Sequence, residues 1–283
     1  MRVRSIPLRR RAALSAAGVL ALTIGLAIGG TAVGITAASG ATARVPAATK
    51  VPKLSHQLCY ISAAKGFKIP SGVTLSDAFT PGGFVPKIGA AGLNCNPVQK
   101  TVQSTGKTTV FPITYAAGHL ACFSITEKKL KLPTFVSVAN QFGTGMLFPG
   151  QPDWLCLPTW KSLVRPPHNK VAEPPYLDHF TCYPIKSQGK FVVPPLILQD
   201  EFGKSKPKVS NVPTQLCLVT RKAVHGKVYK VVHPGGMLVC FPVGPTPIKN
   251  PVFDQNQFGN ATIKIEKTSL LCLPSTASST GKP

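Results

Sequence analysis

The chain has 283 residues, with 32 Lys and Arg against only 9 Asp and Glu, for a formal charge of +23. Its 28 prolines exclude long helices and favour short strands with irregular connections. No nucleophile elbow, Gly-rich phosphate loop or paired-carboxylate arrangement is present, so the charge balance directs attention to anionic partners rather than to a familiar catalytic centre.

Arg2, Arg4 and Arg9-Arg10-Arg11 form a basic start, followed by an uncharged run from Ala12 to Gly40 and a small-x-small site at Ala41-Thr-Ala43. That order predicts a signal peptide over 1–43 with a mature start near Arg44, and a linker over 44–54. The uncharged run is also long enough to span a bilayer, so an uncleaved anchor is the competing reading. Both place the rest of the chain outside the cytoplasm, because the arginines stay inside. Without the five leader arginines the chain still carries 27 basic residues against 9 acids.

Beyond the leader no stretch shows sustained helical spacing of apolar residues, whereas alternation of period two recurs. The eight cysteines (59, 95, 122, 156, 182, 217, 240 and 272) form consecutive pairs separated by 36, 34, 35 and 32 residues. First cysteines recur every 63, 60 and 58 residues, which defines a repeat of about sixty. His56, His119 and His179 stand three residues before the first cysteine, and Met237 takes that place in the fourth copy. An aromatic follows each first cysteine: Tyr60, Phe123, Tyr183 and Phe241. An Asp or Asn with Phe two residues later recurs at Asp77/Phe79, Asn140/Phe142, Asp200/Phe202 and Asn256/Phe258. The expected organisation is therefore repeat 1 over 55–116, repeat 2 over 117–176, repeat 3 over 177–235 and repeat 4 over 236–276. A flexible tail over 277–283 follows, and proline-rich connectors such as Pro166-Pro167 and Pro174-Pro175 join the copies.

The combined pattern resembles an uncharacterised family of exported prokaryotic tandem-repeat domains, whose units read H-x-x-C-Y, D-Q-F-G and L-C-x-P-x-x-K. The last motif here is Leu155-Cys156-Leu-Pro158-Thr-Trp-Lys161 in copy two and Asn94-Cys95-Asn-Pro97-Val-Gln-Lys100 in copy one. Val219 replaces the proline in copy three, and copy four lacks both the leading His and the closing Lys. The resemblance covers the chain after about residue 55 and implies no established activity.

An even cysteine count in an exported chain predicts disulfides. Sixty residues is marginal for an independent core, and a bridge closing about 35 residues contributes on the order of 3–4 kcal/mol in the chain-entropy model. Pairing within each copy (Cys59–Cys95, Cys122–Cys156, Cys182–Cys217, Cys240–Cys272) is the favoured scheme. The alternative joins each second cysteine to the next copy's first and strands Cys59 and Cys272 at the two ends. A His-x-x-Cys metal site is disfavoured, because positions i and i+3 of a strand face opposite sides and Met237 removes one ligand. The Asp/Asn-x-Phe motif reads as a side-chain-capped turn, since Asn, which stands in two copies, is neither acid nor base.

Seven basic residues between Lys204 and Lys230 (Lys204, Lys206, Lys208, Arg221, Lys222, Lys227, Lys230), with no acid among them, are the candidate polyanion-binding residues. A smaller cluster is Lys128-Lys129-Leu-Lys131. Given export, an anionic cell-wall or envelope polymer is favoured over nucleic acid, despite Tyr176 and Tyr229 as stacking aromatics. A membrane is engaged only through an uncleaved N-terminal segment.

The expected fold is all-β, with four tandem disulfide-stapled repeats after an N-terminal signal peptide, either stacked in a row or paired two by two. No catalytic residue, metal or cofactor is assigned. The expected function is a secreted or envelope-associated, non-enzymatic structural or binding module. The competing function is an extracellular enzyme with a site composed between repeats, for which the copy-specific His168, His225 and His233 are the nearest residues.

Overall fold

A computed structural model of the chain describes residues 53–127, 129–165, 173–248 and 251–281. The expected leader, most of the linker, the Pro166-Pro167 connector, His168 and Lys128 lie outside these residues. Among the described residues there are seventeen strands and no helix.

Copy one supplies β1 (Gln57–Lys65), β2 (Thr74–Ser76), β3 (Lys87–Pro97), β4 (Gln99–Ser104) and β5 (Lys107–Phe111). Copy two supplies β6 (His119–Thr126), β7 (Val136–Asn140), β8 (Gly143–Pro149) and β9 (Trp154–Ser162). Copy three supplies β10 (His179–Phe191), β11 (Leu196–Asp200), β12 (Gly203–Ser205), β13 (Gln215–Val224) and β14 (Lys227–Tyr229). Copy four supplies β15 (Met237–Pro242), β16 (Pro251–Asn256) and β17 (Gly259–Thr280).

The eight cysteine-bearing strands close on themselves in the order β1-β3-β6-β9-β10-β13-β15-β17, with β17 returning to β1. Every pairing is antiparallel, and the result is an eight-stranded barrel to which each copy contributes two neighbouring strands. Within a copy the two cysteines face each other across the ladder: Cys59↔Cys95, Cys122↔Cys156, Cys182↔Cys217 and Cys240↔Cys272. Between copies the register steps by two residues, so that Leu93 meets Cys122, Trp154 meets Cys182, Gln215 meets Cys240 and Leu270 meets Cys59. Repeating that step at all four junctions gives the stagger that lets eight strands close.

All eight cysteines point into the lumen, where they pack with Leu93, Leu120, Phe180 and Leu238. The disulfides are Cys59–Cys95, Cys122–Cys156, Cys182–Cys217 and Cys240–Cys272, with Cα separations of 3.9–4.0 Å. Four bridges inside so narrow a barrel leave about 20 Å³ of space, too little for a ligand. Closure also brings the first and last cysteines together. Cys59 and Cys272 are not stranded, because their sulfurs lie 4.0 Å apart, and Cys156 and Cys182 of neighbouring copies are as close, at 3.8 Å. The intra-copy scheme follows from register instead: cysteines of one copy are directly opposite, while those of neighbouring copies are diagonal.

The remaining strands form an outer layer of arms, and here the expected row or pairwise stacking of separate units does not occur. One strand of each copy's arm crosses to the copy two places on, while β8 also pairs with the end of β10 in the next copy. Thus β2 pairs with the end of β13, β11 with β4, β16 with the end of β9, and β7 with the end of β17. The last pairing corrects the expected flexible tail, since Thr276 to Thr280 run beside Val136 to Ala139 as the continuation of β17. An alternating Ser/Thr/Ala segment supplies the edge that β7 needs for its ladder. A single sixty-residue copy therefore has neither a closed barrel nor a covered arm of its own.

Candidate functional site

Residues next to a cysteine point away from the lumen, which places the shared motifs between barrel and arms. Each Asp or Asn caps its turn as expected: its Oδ1 accepts the amide of the Phe two residues on, at 2.8–2.9 Å in all four copies. Gly143, Gly203 and Gly259 follow with φ of 137°, 120° and 103°, values that favour glycine. At Gly143 a side chain would also collide with the Lys190 backbone oxygen.

The aromatic after each first cysteine reaches the turn of the copy two places on. Tyr60 donates to Asp200 Oδ2 and Tyr183 donates to Asp77 Oδ2, both at 2.6 Å. The remaining two copies make the same contact without polar groups: Phe123 lies 4.9 Å from Phe258, and Phe241 lies 5.1 Å from Phe142. Wherever the aromatic is Tyr the turn residue is Asp, and wherever it is Phe the turn residue is Asn. Burial moves both phenols upward from their ordinary pKa, with the partner carboxylate adding to the effect.

The His before the first cysteine and the Lys five residues after the second form a recurrent station with the residue between Asp/Asn and Phe of the next copy. In the first station His56 and Lys100 both contact Gln141, and the Lys100 ammonium stands 4.7 Å from the Phe111 and Phe142 ring centroids. In the second, Lys161 is 2.9 Å from Glu201 and contacts Asn96, which also lies against His119. In the third, His179 contacts Gln257 and Glu173, while Lys222 lies 4.4 Å from the centroid of Tyr229 and 5.1 Å from that of Phe258. The fourth substitutes Met237, Ala277 and Ala78, which line one cleft of about 780 Å³. His, Lys and the polar residue disappear together there, so the three work as one unit.

These lysines are buried: Lys100 and Lys222 are 0% exposed, and so is the Lys161 side chain. Loss of hydration lowers the Lys100 and Lys222 amines to about 7. Burial, helped by Lys100, lowers His56 to about 4, and burial also lowers His119 and His179.

The second station differs from the others in a way the repeat makes visible. Copies two to four flank the second cysteine with leucines (Leu155/Leu157, Leu216/Leu218, Leu271/Leu273), whereas copy one has Asn94 and Asn96. Copies one to three carry Leu75, Val138 or Leu198 two residues before the turn Asp or Asn, whereas copy four has Asp254. These departures converge. Asp254 is the cross-strand partner of Lys161, and Asn94 donates to Asp254 Oδ2 at 2.5 Å. Asn94, Asn96 and Asp254 are each no more than 1% exposed, and burial raises the Asp254 carboxyl to about 7. Asn94 Oδ1 and Asp254 Oδ1 have no hydrogen-bond partner among the described residues.

The candidate polyanion residues are dispersed. Lys222 is removed from the set, because its buried ammonium lies under aromatic rings and no polymer reaches it. Lys204, Lys206 and Lys208 are exposed on and after β12, and Lys208 lines a cleft of about 710 Å³. Arg221 borders the Met237 cleft instead. Lys227 and Lys230 line a third cleft, of about 630 Å³, together with Tyr176, Tyr229 and Glu173. Among the described residues no group of three or more His, Cys, Asp or Glu is placed to hold a metal. His225 is exposed at a turn, and His233 contacts Asp178 at 2.6 Å.

What these features define is a disulfide-filled β-barrel wrapped by swapped arms, built from a repeated motif. The chain belongs to the family described as a repeat of unknown function (DUF7450), which matches residues 73–274. No curated protein and no solved structure matches the chain.

Proposed function

We propose that this is an exported, non-enzymatic module that holds anionic envelope polymers against its surface. The observation that carries the reading is the cleft of about 630 Å³ where Lys227 and Lys230 of copy three stand beside Tyr229 and Tyr176. Ammonium groups beside half-buried tyrosine rings suit a polymer of charged, ring-containing units. Glu173 also lines this cleft, but it is directed to His179 at 3.7 Å. The four disulfides suit an oxidising extracellular compartment. A barrel closed by four bridges provides a rigid support on which clefts differ from copy to copy. An enzymatic reading has less support, because in the densest polar cluster Lys161, Asn94, Asn96 and Asp254 have their side chains buried away from a diffusing substrate.

The test is retention of the mature chain on isolated envelope polymer or an immobilised sulfated polysaccharide. Binding at low salt and earlier elution of the Lys227→Gln/Lys230→Gln variant are expected, because exposed charges are screened as salt rises. Passage of the wild type straight through at low salt would overturn the reading.

A further inference from the structure

The buried cluster around Lys161 contains what an amide-forming reaction needs and what the other stations lack. Its nucleophile is the Lys161 amine, which lies against the Asn96 carboxamide oxygen. The carbonyl carbon is therefore one C=O bond further on. Its base is Glu201, whose Oε1 is 2.9 Å from that amine. The leaving group is also held, since Asn96 Nδ2 donates to Asp200 Oδ2 at 2.8 Å. His119 Nδ1 stands 3.4 Å from Asn96 Oδ1, where negative charge would develop. Phe202 flanks the amine at 5.6 Å, and the Asn96 and Lys161 side chains are fully buried, while Glu201 keeps 22% exposure and with it a route for protons to solvent.

The other copies set this station apart as well. Leucine fills the positions of Asn94 and Asn96 in every other copy, and it is the less costly residue for a buried site. Two oxygens of the cluster remain without partners, so the polar groups are poorly accounted for as a hydrogen-bond network serving stability alone. At the first station the Lys100 amine also meets a carboxamide, Gln141, but no carboxylate is among its described contacts. At the third station the carboxylate is present as Glu173, but the Gln257 carboxamide contacts His179 rather than Lys222. The fourth station has no polar member.

We propose that Lys161 and Asn96 join in an intramolecular isopeptide bond, formed by the folded chain itself. Lys161 gives a proton to Glu201, and its free amine attacks Asn96 Cγ, forming a C–N bond and an oxyanion at Oδ1. The attacking nitrogen then passes a proton to Nδ2 through the neighbouring carboxylates. The Cγ–Nδ2 bond breaks, ammonia leaves, and Glu201 releases its proton. No oxidant, reductant or cofactor takes part. The product ties β3 to β9 across the intervening β6, over 65 residues of chain. It would hold copies one and two together under conditions that reduce every disulfide.

Intact mass spectrometry of the folded, then fully reduced, chain tests this. The expected mass is below that of the sequence by one ammonia, and a protease digest should yield a branched peptide containing both Asn96 and Lys161. Lys161→Arg keeps the positive charge but cannot form the bond, so it should show the full mass. Glu201→Gln should likewise remain unlinked or link far more slowly. A wild-type mass equal to that of the sequence would overturn the proposal, as would an ammonia loss that maps to other residues.

Discussion

The contact between Tyr183 and Asp77 ties copy three to copy one, and its energy can be worked from the structure. Asp77 is only 8% exposed. Its Oδ1 accepts the Phe79 amide at 2.9 Å and the Thr80 amide and hydroxyl at 3.0 Å, which leaves Oδ2 to the Tyr183 hydroxyl at 2.6 Å. Tyr183→Phe removes the donor and strands a buried carboxylate oxygen, at a cost of about 2 kcal/mol for a hydrogen bond to a charged group. Asp77→Asn keeps the turn bonds at Oδ1 and offers Nδ2 to the phenol oxygen, so it should cost about 1 kcal/mol. The double variant reproduces the Phe–Asn pairing of copies two and four, where the amide nitrogens of Asn140 and Asn256 donate to Ser275 and Thr159 at 3.2 Å. Thr220 occupies the equivalent position opposite residue 77. The double variant should therefore cost no more than Asp77→Asn alone, a coupling of about 2 kcal/mol, well outside the usual error of additivity. Guanidinium unfolding at pH 7 with the disulfides intact measures all three. Additivity of the two single variants to within about 0.5 kcal/mol would refute the idea that Tyr–Asp and Phe–Asn are interchangeable matched pairs.

Two further predictions concern buried bases. Lys222→Met removes an amine that has no hydrogen-bond partner among the described residues and should stabilise the fold at pH 7 by about 4 kcal/mol, the worth of lowering its pKa from 10.5 to about 7. Because burial lowers the Lys222 amine from 10.5 to about 7, the unfolded chain binds the extra proton between those values. Wild-type stability then rises with pH across that window, and the advantage of the variant should vanish by about pH 10.5. His56, lowered from 6.5 to about 4, acts in the acid range. As pH falls between those values the unfolded chain gains a proton that the folded chain refuses, so wild type should lose about 3 kcal/mol relative to His56→Gln, as read from paired denaturation curves at pH 7 and pH 4.

Much of the architecture was legible in the chain because it depends on local or periodic properties. Proline density and period-two alternation specify strands, and regular cysteine spacing exposes the fourfold motif. The Asp/Asn-x-Phe turn is likewise a short-range device, since one side-chain oxygen caps an amide two residues away. Parts of the site were also written in the copies. The matched Tyr–Asp and Phe–Asn pairs, the joint loss of His, Lys and the polar turn residue in copy four, and Asn-Cys-Asn in place of Leu-Cys-Leu all appear once the copies are compared position by position. Their spatial meaning does not appear, because Lys161 shows no neighbours within its own motif that set it apart from Lys100 and Lys222.

Tertiary structure alone decided three matters. Whether sixty-residue units stand in a row or merge depends on strand pairing between residues more than two hundred positions apart, as in Gln57↔Cys272, and no local signal encodes that closure. Basic residues adjacent in the chain were separated, since a strand turns neighbouring side chains to opposite faces, leaving Arg221 exposed and Lys222 buried. Finally, the arms exchange between copies one and three and between two and four. That exchange brings buried Asn96, Lys161 and Asp254 together with partly exposed Glu201, one residue from each copy, at a single point. The chain alone determined a stapled, repetitive β protein with a basic surface. The long-range geometry that makes one of its four nearly equivalent stations chemically distinct arises only when the barrel closes and the arms cross it.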